Sequence, residues 1–473
     1  MKKILVILLL FICLRAECIE ENKTYYLKDC INYALKYSPH IKSAKNNLEI
    51  TKKDLLKTKA AYFPTIGAGV HYNFYLNSNK RDDDGYSKQL LPDVGVYLEQ
   101  LIFDFGKTSS AVDMQKFNTI IAQYEYDNMI NETVTAVKTA YFNVLEANAA
   151  VEIEENNLNI NERLVDLTKR LYEENKKSKN DYIDAKINLS EAKIALEDAK
   201  NKLDNALFEL QNTMYIEDRN DFKIKEINEF YYIDAYFTPD FLKEKNGKPV
   251  YKKPDNIKSG VEVTYEANLK KLPITLDEAY ISANKNNPKL KALENTLNSM
   301  KKYKTASKRK YLPTLKTKVG YNRDNKYVSQ IKDIKNNQLN VVVALDTSFN
   351  ILANQADIKK ADYLIDIAED NIEAFKKDIY YNIKRYYTDI LTAQKQIINA
   401  KEKIENSMES LEATRNSYIK NNSEVGYIEL QNARKNYYSA KLEYIGKLKF
   451  YNESLANLEK SIKMYSADDF NLN

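Results

Sequence analysis

The chain contains a long internal repeat, in which residues near its start recur 249 positions later without a gap. The matched pairs include Leu27 and Leu276, Ala34 and Ala283, Pro39 and Pro288, Tyr62 and Tyr311, Pro64 and Pro313, and Val70 and Val319. A period of this length indicates a duplicated domain-sized unit rather than a solenoid of short repeats. The sequence predicts a first copy at 25–216 and a second copy at 272–463. An irregular segment at 217–271 separates them, and a tail at 464–473 follows.

The composition favours long, solvated helices over a compact, loop-rich enzyme. The 473 residues include only 10 Gly and 9 Pro, well below the usual frequencies of about 7% and 5%. Charged residues make up 29% of the chain, and the net charge is +5. Because the charges of both signs are dispersed, no nucleic-acid partner is expected.

The N-terminus predicts an export signal peptide over residues 1–18. Two lysines precede an apolar run at 4–14, which is too short to cross a bilayer as a mature helix. The residues at 16–18 suit cleavage, although the exact position stays open. Cys18 follows Glu17, which disfavours lipidation without excluding it.

Two segments in each copy alternate with a period of two, and they predict four strands of about ten residues. The segments lie at 66–76, 94–103, 315–322 and 339–349. Each has one apolar face and one more polar face, so that Val343 points outward where Val342 points inward. This pattern matches a transmembrane β-strand, and an ordinary half-buried hairpin is the alternative. Since an open sheet edge is very costly in lipid, a membrane role requires several chains to pool their strands.

A helical stretch of more than a hundred residues follows each strand pair, from about 107 to 214 and from about 354 to 462. Each stretch has one break, near 173–180 and near 420–426. The part before the break would extend roughly 100 Å at 1.5 Å per residue. The returning helix of the first copy carries an alternating Ala/Leu seam with spacings of four and three residues, typical of an antiparallel coiled coil. The seam comprises Ala185, Leu189, Ala192, Leu196, Ala199, Leu203, Ala206 and Leu210.

The order of these elements resembles the TolC-type outer-membrane efflux channels. The resemblance includes the Ser38-Pro39 and Asn287-Pro288 helix junctions and the stretch from Leu101 to Gly106. It also includes the hairpin tip, which comprises Leu164 to Leu171, the break, and Asp181 to Ala185. It implies a mainly α, TolC-like fold with a small β part, and it places the segment at 217–271 in an equatorial position around the helical barrel. Long helical hairpins would form a periplasmic α-barrel, and four strands per chain would join a trimeric, twelve-stranded outer-membrane β-barrel.

The same resemblance implies a function and partners. A homotrimer in the outer membrane, extending into the periplasm, would act as the exit duct of a tripartite efflux or type I secretion system. Its partners would be a periplasmic adaptor (membrane fusion protein), an inner-membrane transporter and outer-membrane lipid. The exported substrate cannot be inferred from the residues.

Carboxylates at the hairpin tip are the candidate periplasmic gate. Asp181 and Asp184 are three residues apart and share one helix face. Their second-copy equivalents are Glu429 and Asn432, so which hairpin lines the pore stays open. Ser178 with Asp181 also fits a helix N-cap, and we favour capping over gating for Asp181.

Aromatic residues near the strand ends are candidates for the membrane interface, because such residues form girdles around membrane barrels. The candidates are Tyr72, Phe74, Tyr97, Phe103, Tyr321 and Phe349.

The remaining function classes are poorly supported. The only two histidines, His40 and His71, lie in separate elements, and the chain has no phosphate-binding loop, nucleophile elbow or clustered cysteine ligands. We therefore predict no enzyme activity, no cofactor and no metal site. The alternative function is a periplasmic coiled-coil scaffold or adaptor without a channel.

Overall fold

The computed structural model describes residues 24–76, 88–216, 222–224, 272, 274–328, 331–347, 350–420, 425–462, 465 and 470. Side chains at 71–76, 88–93, 322–328 and 331–338 fall outside this description. The predicted signal peptide at 1–18, nearly all of the segment at 217–271, most of the tail at 464–473, and Phe349 lie outside the described residues.

A series of two helices, two strands and two long helices occurs twice along the described chain. The first half contains β1 (Thr24–Tyr25), α1 (Leu27–Tyr37), α2 (Pro39–Lys59), a 3₁₀ turn (Ala60–Tyr62), β2 (Thr65–Leu76), β3 (Lys88–Phe103), α3 (Lys107–Glu173), α4 (Lys179–Met214) and β4 (Lys223–Ile224). The second half contains α5 (Leu276–Asn286), α6 (Pro288–Arg309), β5 (Thr314–Val328), β6 (Ile331–Asp346), α7 (Ile351–Ile419) and α8 (Tyr427–Ile462). The extent of the two structural copies, 25–216 and 272–463, remains a prediction.

Local sequence signals account for where several helices begin. Thr275 caps α5 with a reciprocal capping box, in which its hydroxyl accepts the Glu278 N–H at 3.3 Å and the Glu278 carboxylate accepts the Thr275 N–H at 2.8 Å. Both α2 and α6 begin with proline, whose missing N–H is not needed in the first turn.

The chain divides into two compact units, and each contains segments from both halves. The helical unit comprises Met1–Lys42, Asp127–Asn287 and Lys377–Asn473. The sheet unit comprises Ser43–Tyr126 and Pro288–Lys376. Among the described residues, none of the helices has an apolar stretch of the length that a membrane crossing requires.

The sheet unit contains one antiparallel sheet with the strand order β2-β3-β5-β6. Its strands have 12 to 16 residues, longer than the ten or so that the sequence predicts. The extra residues come from polar segments such as the one where Asn325 pairs with Lys335. Backbone pairing does not depend on side-chain polarity, so the alternation of apolar residues ends before the strands do.

The predicted seam of α4 is largely buried, as the 4-3 spacing requires. Six of its positions are buried, namely Ala185, Ala192, Leu196, Ala199, Ala206 and Leu210. The helical unit also buries an ion pair between Lys138 of α3 and Glu459 of α8, whose side chains are only 4% and 5% exposed. The Tyr465 hydroxyl bonds to the same carboxylate. This bond connects the chain after α8 to the core of the helical unit.

Candidate functional site

Ser178 caps the N-terminus of α4 in the helical unit. Its Oγ accepts a hydrogen bond from the Asp181 backbone N–H at 3.1 Å, and its hydroxyl donates to Asp181 Oδ1 at 2.7 Å. Asn175, with a φ of 57°, lies in the left-handed region in the turn before it. The structure confirms the predicted cap.

Asp181 also binds a tyrosine from the other long hairpin. The hydroxyl of Tyr418, near the end of α7, donates to Asp181 Oδ2 at 3.1 Å. Burial raises the pKa of Tyr418 well above its ordinary value, and the nearby Asp181 charge raises it further. The hydroxyl is therefore a neutral donor throughout the physiological pH range. The carboxylate of Asp181 is engaged by these contacts rather than left free for ions.

A lysine of the first hairpin lies over the ring of Tyr418. Lys177 Nζ lies 4.5 Å from the centre of the Tyr418 ring, within the range of a cation–π interaction. The same ammonium group donates to the Val425 carbonyl at 3.2 Å, just before α8. Lys177 therefore links the turn of the first hairpin to the start of the last helix.

A small apolar cluster supports the two helix starts. Both hairpins contribute to it, through Leu164, Leu171, Ala185, Tyr418, Tyr427 and Leu430. Because each hairpin supplies part of the cluster, separating the hairpins would expose apolar side chains to water. This exposure would cost a free energy of about 25 cal/mol per Å² of apolar surface.

The start of α8 has its own cap. Glu429 accepts the Gly426 backbone N–H at 2.9 Å, which is half of a capping box. Its side chain and that of Asn432 are exposed. Glu429 is therefore open to solvent while it serves as a cap.

Asp184 is half-buried and lines a groove with Asn188, Tyr427 and Gln431. The pKa of Tyr427 is raised, mainly by burial, and the Asp184 charge acts in the same direction. The structure thus brings Asp181, Asp184 and the start of α8 around one cluster. Their role in gating stays a prediction.

Sequence reasoning missed Tyr418, Lys177 and Arg434 at this site. Arg434 of α8 is buried, and burial lowers its pKa. Within the described residues its Nε and Nη1 have no hydrogen-bond partner. The signal available in the sequence was an arginine one turn after Leu430 and next to Ala433.

The sheet has one apolar and one polar face, as the period-two pattern predicts. Ile66 pairs with Leu98, and Val319 lies opposite Leu98 on the next strand, so these residues share a face. Val343 pairs with Thr317 and Val342 with Lys318, which places the two valines on opposite faces. On the polar face Lys316 forms an ion pair with Glu99 at 2.8 Å.

Tyr97 lies on this polar face. Its ring covers Gly67, where a Cβ atom would lie 2.3 Å from Tyr97 Cζ, and Lys318 Nζ is 3.9 Å from the ring centre. A glycine is needed at this position because the ring occupies the space of its side chain. Tyr97 therefore packs against neighbouring residues of the sheet, and its role at the membrane interface stays a prediction.

The other aromatic candidates differ in position. Tyr321 is exposed and pairs with Val96 on the apolar face. A bulge after Leu101 brings Phe103 opposite Leu315, which places it with the apolar residues rather than on the polar face that simple alternation assigns. The side chains of Tyr72 and Phe74, and all of Phe349, lie outside the described residues. Interface roles for these residues stay predictions.

Solved structures with the same fold include outer-membrane proteins, two of which are described as channels. The Campylobacter jejuni CmeC outer membrane channel matches with a TM-score of 0.74 at 15% identity, covering 94% of this chain and 88% of CmeC. The Vibrio cholerae outer membrane protein VceC matches with a TM-score of 0.73 at 13% identity, covering 93% and 96%. The outer-membrane channel OprN matches with a TM-score of 0.76 at 12% identity, covering 93% and 90%. These likenesses confirm the TolC-like, mainly helical fold.

The sequence profile of one protein family matches both halves of the chain. The profile of the outer membrane efflux proteins covers residues 30–214 and again 279–462. The search of curated proteins found no match to this sequence. The family match confirms the outer-membrane location and the prediction that the chain is not an enzyme, and it favours an efflux channel over a soluble scaffold. The chain belongs to the outer membrane efflux protein family.

Proposed function

We propose that this protein is the homotrimeric exit duct of a tripartite efflux or type I secretion system. The observation that carries the proposal is the four-stranded sheet of the described residues, which has two unpaired edges and one exposed apolar face. Ile66 is 79% exposed and Val343 is 69% exposed on that face. An apolar surface of this kind on a single chain calls for a lipid or protein environment.

The two unpaired edges of the sheet indicate that several chains must combine before the sheet can lie in lipid. In the described chain β2 and β6 each pair on one side only. In lipid, each unpaired backbone group costs several kcal/mol, so an open sheet is not viable there. Closure by three chains gives twelve strands, which lies within the range of known membrane barrels. The polar face with Lys316 and Glu99 then lines the lumen.

The long helices supply the periplasmic part of the duct. α3 has 67 residues and α7 has 69, so each would extend roughly 100 Å at 1.5 Å per residue. A duct of this kind has no energy source of its own, and a periplasmic adaptor with an inner-membrane transporter would supply substrate and energy.

The hairpin ends form the closed gate in this proposal. Glu429 is the first candidate for a ring of carboxylates, because it is exposed on α8, and Asp184 is the second. Asp181 instead stabilises the closed arrangement of the hairpin ends through its hydrogen bonds to Ser178 and Tyr418.

The test combines assembly and conductance. The purified mature protein is expected to be a trimer by light scattering in detergent, after subtraction of the bound detergent. In planar bilayers it is expected to give discrete conductance steps, whereas a mock purification from cells without the protein gives none. A monomer in detergent, or a trimer that never conducts, would contradict the proposal.

A further inference from the structure

Two lysines of strand β5 lie on the polar face of the sheet. Lys318 pairs in register with Val342 on β6, and Lys316, two residues away on the same strand, shares its face. At the offset of 249 residues, the counterparts of Lys316 and Lys318 in the first copy are Gly67 and Gly69. The second copy therefore carries charge at positions where the first copy has no side chain.

Only one of these two lysines is neutralised by a carboxylate. Lys316 forms the ion pair with Glu99 at 2.8 Å. Glu99 lies directly opposite Lys318 in the strand register, but its carboxylate is bound by Lys316. Lys318 is exposed, and it forms no ion pair within the described part of the chain. The three side chains together therefore leave one positive charge per chain.

Tyr97 positions the ammonium group of Lys318. The Nζ atom lies 3.9 Å from the centre of the Tyr97 ring, within the range of a cation–π contact. The ring is set over Gly67, which leaves room for it because it has no side chain. This contact holds the charge over the central strands β3 and β5. Because an aromatic ring does not neutralise an ammonium group, the charge still acts on ions in the solvent.

A second carboxylate on this face is too distant to cancel that charge. Asp346 pairs in register with Thr314 and lies four residues beyond Val342 on β6. At about 3.3 Å per residue the separation is roughly 13 Å, which exceeds the Debye length of about 8 Å at physiological ionic strength. Lys107 lies at the same end of the sheet, where its ammonium group donates to Thr314 Oγ1 at 3.1 Å. Asp346 thus has a lysine of its own nearby and leaves the charge at Lys318 in place.

We infer that Lys318, with Lys316 and Glu99, forms a positively charged ring in the lumen of the proposed barrel, and that this ring favours anionic solutes over cationic ones. The inference rests on the proposed function and deepens it, because it names the class of solute that the barrel prefers. Three chains place three such charges around one lumen. The face that bears them meets water rather than lipid, since a charged side chain that faces lipid is destabilising.

The ring has the opposite sign to the candidate gate. Glu429 and Asp184 are carboxylates, so the proposed duct would present negative groups at the gate and positive groups in the barrel. A current through the whole duct depends on both regions. The charge of the barrel therefore has to be measured at the barrel itself.

A reporter thiol opposite Lys318 makes this measurement possible. The background carries Cys18→Ser and Cys30→Ala, and the alanine fits because Ala279 is the buried counterpart of Cys30. Val342→Cys adds the reporter, because neighbours across two paired strands have Cβ atoms about 5 Å apart. Val343→Cys, on the opposite face, is the matched control.

The purified trimer in detergent is treated with two methanethiosulfonate reagents, the anionic ethylsulfonate and the cationic ethyltrimethylammonium. The ratio of the two reaction rates reports the local potential, because a change in the reactivity of the thiol itself affects both reagents equally. The ratio is measured with Lys318 present and in Lys318→Gln, Lys318→Arg and Glu99→Gln.

We expect Lys318→Gln to lower the anionic-to-cationic rate ratio roughly threefold at an ionic strength of about 0.1 M. Glu99→Gln should raise the ratio by a similar factor, and Lys318→Arg should leave it unchanged. These differences should shrink at about 1 M salt, where the Debye length is about 3 Å. A purely structural role of Lys318 would not produce this dependence on salt.

A trimer whose rate ratio is the same in Lys318→Gln and Glu99→Gln as in the background would overturn the inference and leave the proposed duct intact. Faster labelling of Val343→Cys than of Val342→Cys would overturn the assignment of the faces, and the inference with it. A monomeric protein in all variants would overturn the proposed function itself.

Discussion

The hydroxyl of Tyr418 offers a sharp test of how the hairpin ends are held together. Tyr418→Phe removes the bond to Asp181 but keeps the ring, its burial and its contact with Lys177. A hydrogen bond to a charged group contributes about 1.5–3 kcal/mol. Asp181 is half-buried, so water can replace the lost donor, and we expect the lower end of that range.

This loss has a measurable consequence if the two hairpins separate when the proposed duct opens. About 1.4 kcal/mol corresponds to a tenfold change in an equilibrium constant. The open probability of Tyr418→Phe channels should therefore rise roughly tenfold in single-channel recordings at neutral pH. Tyr172→Phe is the matched control, because Tyr172 lies on α3 near the same turn but is exposed.

The result that would refute this reasoning is equally specific. An unchanged open probability in both Tyr418→Phe and Tyr172→Phe would refute it. The hydrogen bond would then either persist in the open state or contribute no net free energy relative to a bond with water. A comparable rise in both variants would point to a general loosening of the hairpin end. Only a selective rise in Tyr418→Phe supports the bond as part of the closed state.

Four further outcomes are expected. Val343→Arg should cost about 2–4 kcal/mol at mid-bilayer depth and reduce the yield of folded trimer, whereas Val342→Arg should be tolerated; equal yields would show that the faces are wrongly assigned. Asp104→Ala should destabilise the start of α3 by about 1–2 kcal/mol, because Asp104 accepts two backbone N–H groups at 2.9 and 2.6 Å; thermal melting would detect it. Glu429→Gln should weaken cation selectivity, measured as a reversal potential in a salt gradient, and an unchanged potential would place Glu429 away from the pore. The pKa of Tyr418 in the folded protein lies above the value of about 10 in the unfolded chain, so the neutral hydroxyl contributes its full stabilisation below pH ~10 and loses it as the pH rises further. Tyr418→Phe should therefore show a shallower loss of stability at alkaline pH in melting experiments.

The features that the sequence predicts well are those encoded locally. The alternation that separates Val343 from Val342 needs only neighbouring residues, because successive side chains of a strand point to opposite faces. The Ser178 cap spans three residues, and the α4 seam repeats within one helix. In each case the signal and the structure occupy the same short stretch of chain.

The features that the sequence could not predict join distant residues. Tyr418 is 237 positions from Asp181, and Lys138 is 321 positions from Glu459. Nothing in either neighbourhood specifies the partner, because the contact depends on how two long hairpins pack. The packing of the Tyr97 ring on Gly67 could not be predicted either. A glycine in a strand indicates that some group approaches the backbone closely, but it does not identify that group.

The duplication allows the partner of one helix surface to be inferred from the packing of its counterpart in the other copy. Within the chain, α3 and α6 show how a first-copy helix packs on a second-copy helix, and the same two surfaces recur on α7 and α2. Ser299 is polar and fully buried, whereas its counterpart Ile50 is apolar and exposed. Because Ile50 is 58% exposed, leaving it in water would forgo about 1–2 kcal/mol per copy, a little over half of what full burial of such a side chain contributes. The divergence between the two halves therefore favours a neighbouring copy as the partner of this surface.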